Sequence, residues 1–209
     1  MQPSVVLLFA LTCIPLVLAP GPSVAFVLAT TLSSGRRVAM GAVAGVELGY
    51  VAHVIAAAAG ISAILAASAA AFTAVKIAGA CYLVWLGITA WRSRDLRLLG
   101  ELGSAGGATR SGAAFRRGLV IGVLNPKTAV FFLSFLPQFV LPDAGPAWLQ
   151  MTVLGLLFIV LAAMPDTLWA LGGGAVARLF PRTRVRTTER ISGTVFFGLA
   201  AYSLTARHA

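Results

Sequence analysis

The sequence predicts an all-α, polytopic membrane protein. Of its 209 residues 59% are hydrophobic and only 11% charged, its mean hydropathy is +0.93, and its apolar residues fall in long continuous runs. Such a chain has too little polar surface to cover a soluble globule. The hydrocarbon of a bilayer is about 30 Å thick and an α-helix rises about 1.5 Å per residue, so a span takes roughly 20 mainly apolar residues. Six segments qualify, at about 4–31, 38–66, 70–91, 116–140, 147–176 and 191–206. None alternates with a two-residue period, which argues against barrel strands.

The first segment contains "LVLAPGPSVAFVLATT", with Pro20, Gly21 and Pro22 near its middle. It lacks a basic region at its start and five spans follow, so it is expected to be a retained span and not a cleaved signal. The second contains "GAVAGVELGYVAH", where Gly41, Gly45 and Gly49 recur every four residues. At about 100° per residue Glu47 projects roughly opposite that stripe. The glycines suit close helix contact, within one chain or between two copies. Glu47 is then left for a cavity, or for a structural ion pair with Lys127. His53, one turn after Tyr50, is expected to be a hydrogen-bonded packing residue in preference to a proton relay.

Lys76 lies a few residues into the third segment, close to the outer surface, and is expected to snorkel. Cys13 and Cys81 both fall within spans, form no CxxC pair and read as reduced packing residues. Residues 93–114, "SRDLRLLGELGSAGGATRSGAA", mix charge with Gly, Ser and Ala and read as a cytoplasmic linker. The fourth segment carries Asn125-Pro126-Lys127, and the fifth carries Asp166 directly after Pro165, where another break is expected. Asp166 suits a substrate ammonium or a proton, or the neutralising of a neighbouring positive charge.

The net charge is +10, yet thirteen of the sixteen basic residues lie in alternate loops. Arg36 and Arg37 lie between spans one and two, and Arg92, Arg94, Arg97, Arg110, Arg116 and Arg117 between three and four. Arg178, Arg182, Arg184, Arg186 and Arg190 lie between five and six. This positive-inside pattern places both termini outside the cytoplasm. The basic charge thus serves topology and contact with anionic lipid, and does not point to nucleic acid.

The linker divides the chain into two halves of three spans, about 1–92 and 115–209, within one transporter domain. An odd number of spans per half turns the second upside down relative to the first, as in many secondary transporters. "GPSVAFVL" at 21–28 lies over "NPKTAVFF" at 125–132, with Pro22 on Pro126 and Ala25 on Ala129. Gly and Asn are accepted at an N-cap and Pro at the first helical position, so both places read as helix restarts. Each restart aims backbone N–H groups and a partial positive charge into the protein centre, and Lys127 adds a full one. Such a place suits a carboxylate.

"APGP" in span one, "KIAGACYLVWLG" at 76–87, "NPKTAVFFLSFLPQF" at 125–139 and an acidic residue in span five occur in order over nearly the whole chain. In this the sequence resembles the LysE/RhtB family of bacterial amino-acid exporters, most of all its homoserine and homoserine-lactone efflux branch. The resemblance implies six inner-membrane helices and export driven by the proton gradient. Pro20, Gly21, Pro22, Asn125, Pro126, Lys127 and Asp166 fall on the family's motif positions. Two departures stand out: members often carry Gln or another residue where Glu47 stands, and some carry an aromatic within the "GGG" of 172–174. The resemblance therefore implies a substrate class without fixing homoserine itself.

Together these observations predict an exporter alternating access around a midplane site. Pro20, Gly21, Pro22, Ser23, Asn125, Pro126 and Lys127 are expected to hold the carboxylate of a small amino acid such as homoserine, its lactone or a threonine-like compound. Glu47 and Asp166 are expected to hold its ammonium and exchange it for a proton. No cofactor or resident metal is called for, and self-association is left open. Two rival readings fit the sequence less well. A metal-cation exporter lacks a cluster of His, Cys and carboxylate ligands in the spans; an intramembrane enzyme built on a Ser23–His53 dyad lacks a nucleophile turn.

Overall fold

The structure is a computed structural model. It describes residues 2–18, 21–61 and 110–179, and single helical residues within 73–91 and 190–201. Pro20, Lys76 and the expected linker as far as residue 109 lie outside the described residues.

A proline has no backbone N–H, so two prolines in three residues withdraw two helical donors from the first apolar run. The run folds as two helices, α1 (Pro3–Leu18) and α2 (Pro22–Ser34), bent by 52° at the break. Gly21 stands before α2 in extended conformation, with Pro22 in the first turn. A turn at Gly35, whose φ of +82° lies in the left-handed region that glycine enters most easily, leads into α3 (Arg36–Ala56). One π-helical turn, Ala57–Ile61, continues it.

The second described stretch repeats the device. Helix α4 (Ser111–Val123) stops before Asn125, and α5 (Pro126–Ser134) restarts after it, continued by a 3₁₀ turn over Leu136–Phe139. The bend here is 43°. Residues 111–114, expected in the linker, form the first turn of α4. Helix α6 runs Ala147–Leu179 without interruption. The break expected at Pro165 is therefore absent. Pro165 follows Met164, which offers no capping oxygen, whereas Gly21 and Asn125 belong to types that start helices. One withdrawn N–H is tolerated inside a long helix packed on its neighbours.

Two helical stretches, Arg36–Gly60 and Ala147–Gly173, are long and apolar enough to cross a membrane, and each bent pair makes a further candidate. The described residues thus supply up to four spans of the six expected. They contain no strand. Large apolar side chains such as Leu7, Leu11, Leu48, Ile55, Val160 and Leu168 lie exposed on α1, α3 and α6, the surface that suits lipid. From the third and sixth expected spans a few residues are described, and these meet: Trp91 Nε1 donates to the Arg190 carbonyl at 3.0 Å, and its ring stands edge-on to Phe197.

Packing is closest between α3 and α4. A Cβ added at Gly45 would run into the Phe115 carbonyl, and one at Gly49 would lie 2.7 Å from the Gly122 Cα. Gly118 and Gly122 return the contact against the carbonyls of Ala42 and Val46. The α3 glycine stripe is thus filled within one chain, by a partner stripe on α4 that a scan of α3 alone does not reveal. The phenylalanines of "NPKTAVFFLSFLPQF" are packing residues. Phe131 stacks on Phe158 of α6 with centroids 5.0 Å apart, and Phe139 meets Phe9 of α1 edge-on at 5.2 Å.

Candidate functional site

The two breaks come together. Asn125 is 1% exposed and uses its whole amide. Its Oδ1 accepts from the Lys127 and Thr128 backbone N–H groups at 3.0 and 3.4 Å, capping α5. Its Nδ2 donates to Ser23 Oγ of α2 at 2.8 Å and to the Tyr50 hydroxyl of α3 at 3.3 Å. Tyr50 in turn donates to Ser23 Oγ at 2.9 Å, closing a buried triangle across three helices. The restarts are therefore unequal. The first amides of α5 are capped by Asn125, while among the described residues no side chain caps the Ser23 and Val24 amides of α2.

The breaks also free carbonyls, and at each break one of them takes a donor from the other half of the chain. The helical partner of the Leu16 carbonyl would be the N–H of residue 20, which is a proline. Lys127 Nζ donates to that oxygen at 2.9 Å. The helical partner of the Gly122 carbonyl would be residue 126, again a proline. His53 Nε2 lies 3.1 Å from it, and the Asn125 N–H reaches it at 3.2 Å. His53 thus donates through Nε2 to backbone, and Ser23 bonds elsewhere, so no Ser23–His53 dyad forms.

Where α1, α2, α3, α5 and α6 meet there is a small, partly open cavity with room for little more than a water molecule. Gly21, Ser23, Asn125, Lys127 and Asp166 all line it. Pro22 and Pro126 open α2 and α5 without reaching the wall. Glu47 is not part of the wall either: it stands behind Asp166, with the two carboxyls in hydrogen-bonding reach. Both Glu47 oxygens are buried and find no N–H or O–H donor among the described residues. Two carboxyls bond each other only when one holds a proton. Asp166, 4% exposed, has Lys127 as its positive neighbour, so the alternative reading of Glu47, an ion pair with Lys127, gives way to an order Lys127, Asp166, Glu47.

Six lining residues were not foreseen: Val17, Val24, Tyr50, Thr128, Phe158 and Ala162. Tyr50 was within reach of the pattern, since it follows Glu47 by three residues and so shares its side of α3. Thr128 belongs to the first turn of the α5 restart; it is wholly buried, with its Oγ1 beside the Tyr50 hydroxyl. Phe158 comes from another helix, and no local spacing announces it. Among the described residues no group of three or more His, Cys, Asp or Glu side chains gathers that could hold a metal ion.

Helices broken around an interior polar cavity are the means by which secondary membrane transporters hold solutes. The family model described as LysE type translocator matches residues 14–207, and this chain belongs to that family. Its relatives are of matching length. An uncharacterized membrane protein of Vibrio cholerae is 32% identical over 206 residues, 96% of this chain and 97% of that one. A homoserine/homoserine lactone efflux protein of Salmonella typhimurium is 31% identical over 205 residues, 96% of each chain. A leucine efflux protein of an Enterobacter species is 30% identical over 188 residues, 89% of this chain and 88% of that one. No solved structure matches the chain.

Proposed function

We propose that this protein exports small amino acids or their derivatives, of the homoserine, homoserine-lactone or threonine type, across the bacterial inner membrane in exchange for protons. One observation carries the proposal: half-buried Lys127 and buried Asp166, a cation and an anion within apolar spans, line one small cavity. A zwitterion needs that pair of charges. A charge at the bilayer centre costs about 2.5–3.5 kcal/mol even on lenient scales, so two of them in one cavity call for a task.

The carboxylate binds Lys127 and the uncapped Ser23 and Val24 amides at the positive end of α2. Asn125 positions these groups by tying Ser23 to the α5 cap. The ammonium binds Asp166. A proton arriving from outside competes with the ammonium for the acidic groups, and that competition couples the two fluxes. Homoserine, homoserine lactone and leucine are the solutes named for the relatives.

The whole chain then has six spans in two inverted three-helix halves, a cytoplasmic linker around residues 93–114 and both termini outside the cytoplasm. The alternation of basic loops supports this orientation. The arms α2 and α4 support matched depth: each has 13 residues, about 20 Å of helix, between its break and its basic end. The glycine stripe is filled within the chain and so lends no support to self-association. Efflux of labelled homoserine, threonine and leucine from preloaded cells, with and without a protonophore, tests the proposal. Export of one of them that collapses with the gradient is expected; export untouched by the protonophore would overturn the coupling.

A further inference from the structure

Resting on that reading, we infer that Asp166 and Glu47 divide the work: Asp166 alone touches the substrate, and Glu47, out of the substrate's reach, holds the exchanged proton against Asp166. Asp166 lines the cavity and Glu47 does not. The Glu47 carboxyl oxygens are buried and meet no N–H or O–H donor among the described residues, and the Asp166 carboxyl is the group in their reach. A carboxyl so placed forms its hydrogen bond only through a proton lying between the two acids.

The other titratable groups nearby leave that bond to the acid pair. Tyr50, on α3 beside both acids, donates its proton to Ser23. His53, one turn further along α3, is held at the Gly122 carbonyl. Lys127 of α5 stands against Asp166 and the Leu16 carbonyl. The α4 side of α3 presents glycines. Lys76 lies outside the described residues.

The step balances simply. With the cavity empty, one proton bridges Glu47 and Asp166. When the substrate ammonium binds the Asp166 carboxylate from inside, the bridging proton leaves to that side and both acids stand ionised beside one ammonium. When the ammonium departs outside, a proton from that side closes the bridge again. A glutamine at position 47 supplies an N–H donor to Asp166 at nearly the same size, so the bridge then needs no proton. Glu47→Gln should therefore bind and exchange substrate while losing proton coupling.

The test uses the purified full-length protein with L-homoserine as probe, and L-leucine if homoserine does not bind. In wild type, binding in weakly buffered detergent solution should release roughly one proton per molecule bound, and affinity should fall with acidity by up to about tenfold per pH unit, the limit for one competing proton. In Glu47→Gln the affinity should stay within about threefold of wild type at the higher pH, with no proton released and no pH dependence. Asp166→Asn should lose binding. A Glu47→Gln protein that still releases a proton, or that elutes as a folded species yet binds nothing, overturns the division of labour while leaving export intact. Wild type that binds neither probe, or binds without releasing protons, fails at the underlying reading instead.

Discussion

Lys127 donates to the Leu16 carbonyl at 2.9 Å, an oxygen whose helical donor is missing because residue 20 is a proline. A residue of the second broken helix thus completes the first, at the edge of the cavity. The same ammonium is in place to take a substrate carboxylate, and a charge-assisted hydrogen bond is worth about 1.5–3 kcal/mol. Lys127→Met is expected to raise the half-saturating substrate concentration roughly 10- to 100-fold, measured as initial rates of efflux at equal membrane expression.

Asn125 ties α5 to α2 and α3 through four hydrogen bonds. Asn125→Ala removes a cap worth about 0.5–2 kcal/mol and leaves buried hydroxyls short of a donor, a further ~1–3 kcal/mol. Asn125→Asp keeps the capping oxygen and loses the donors to Ser23 and Tyr50. Thermal unfolding in detergent should therefore rank wild type above Asn125→Asp, and transport should fall in both variants.

Gly45 has no room for a Cβ against the Phe115 carbonyl, whereas Gly112 in the first turn of α4 has nothing within 4 Å. Gly45→Leu forces α3 and α4 apart, an overpacking that costs about 1–3 kcal/mol or more. Gly112→Ala should be neutral, or stabilising by up to about 1 kcal/mol. Equal melting temperatures for the two variants would rule out the α3–α4 contact as described.

Gln150, 2% exposed, donates to the Leu141 and Gly145 carbonyls at 2.8 Å and accepts from the Leu141 N–H at 3.1 Å. It thereby fastens the connection between α5 and α6. Gln150→Leu removes three bonds of about 0.5–1.5 kcal/mol each. Faster proteolysis within residues 140–146 is expected, with substrate affinity unchanged because Gln150 does not line the cavity.

The breaks at Gly21-Pro22 and Asn125-Pro126 were legible because a capping residue before a proline is a local signal. Asp166 and Lys127 were legible because a charge in an apolar run is rare. Pro165 misled because the same residue type, without a cap before it, stays inside its helix. The Asn125–Ser23–Tyr50 triangle was out of reach: its members lie 27 to 102 positions apart, and single-chain spacing carries no information about such pairings. The asymmetry between the two restarts follows from that triangle and was equally hidden. A symmetric pair of carboxylate clamps becomes one open helix end, with a capped one opposite.

Transport by purified protein in proteoliposomes under an imposed pH gradient tests the central claim most directly, with wild type compared with Asp166→Asn. Labelled homoserine or leucine should accumulate against its own gradient in wild-type vesicles only while the pH gradient lasts, and should not accumulate with Asp166→Asn. Equal accumulation by the two proteins, or accumulation that persists after the gradient is collapsed, would contradict a proton-coupled site at Asp166.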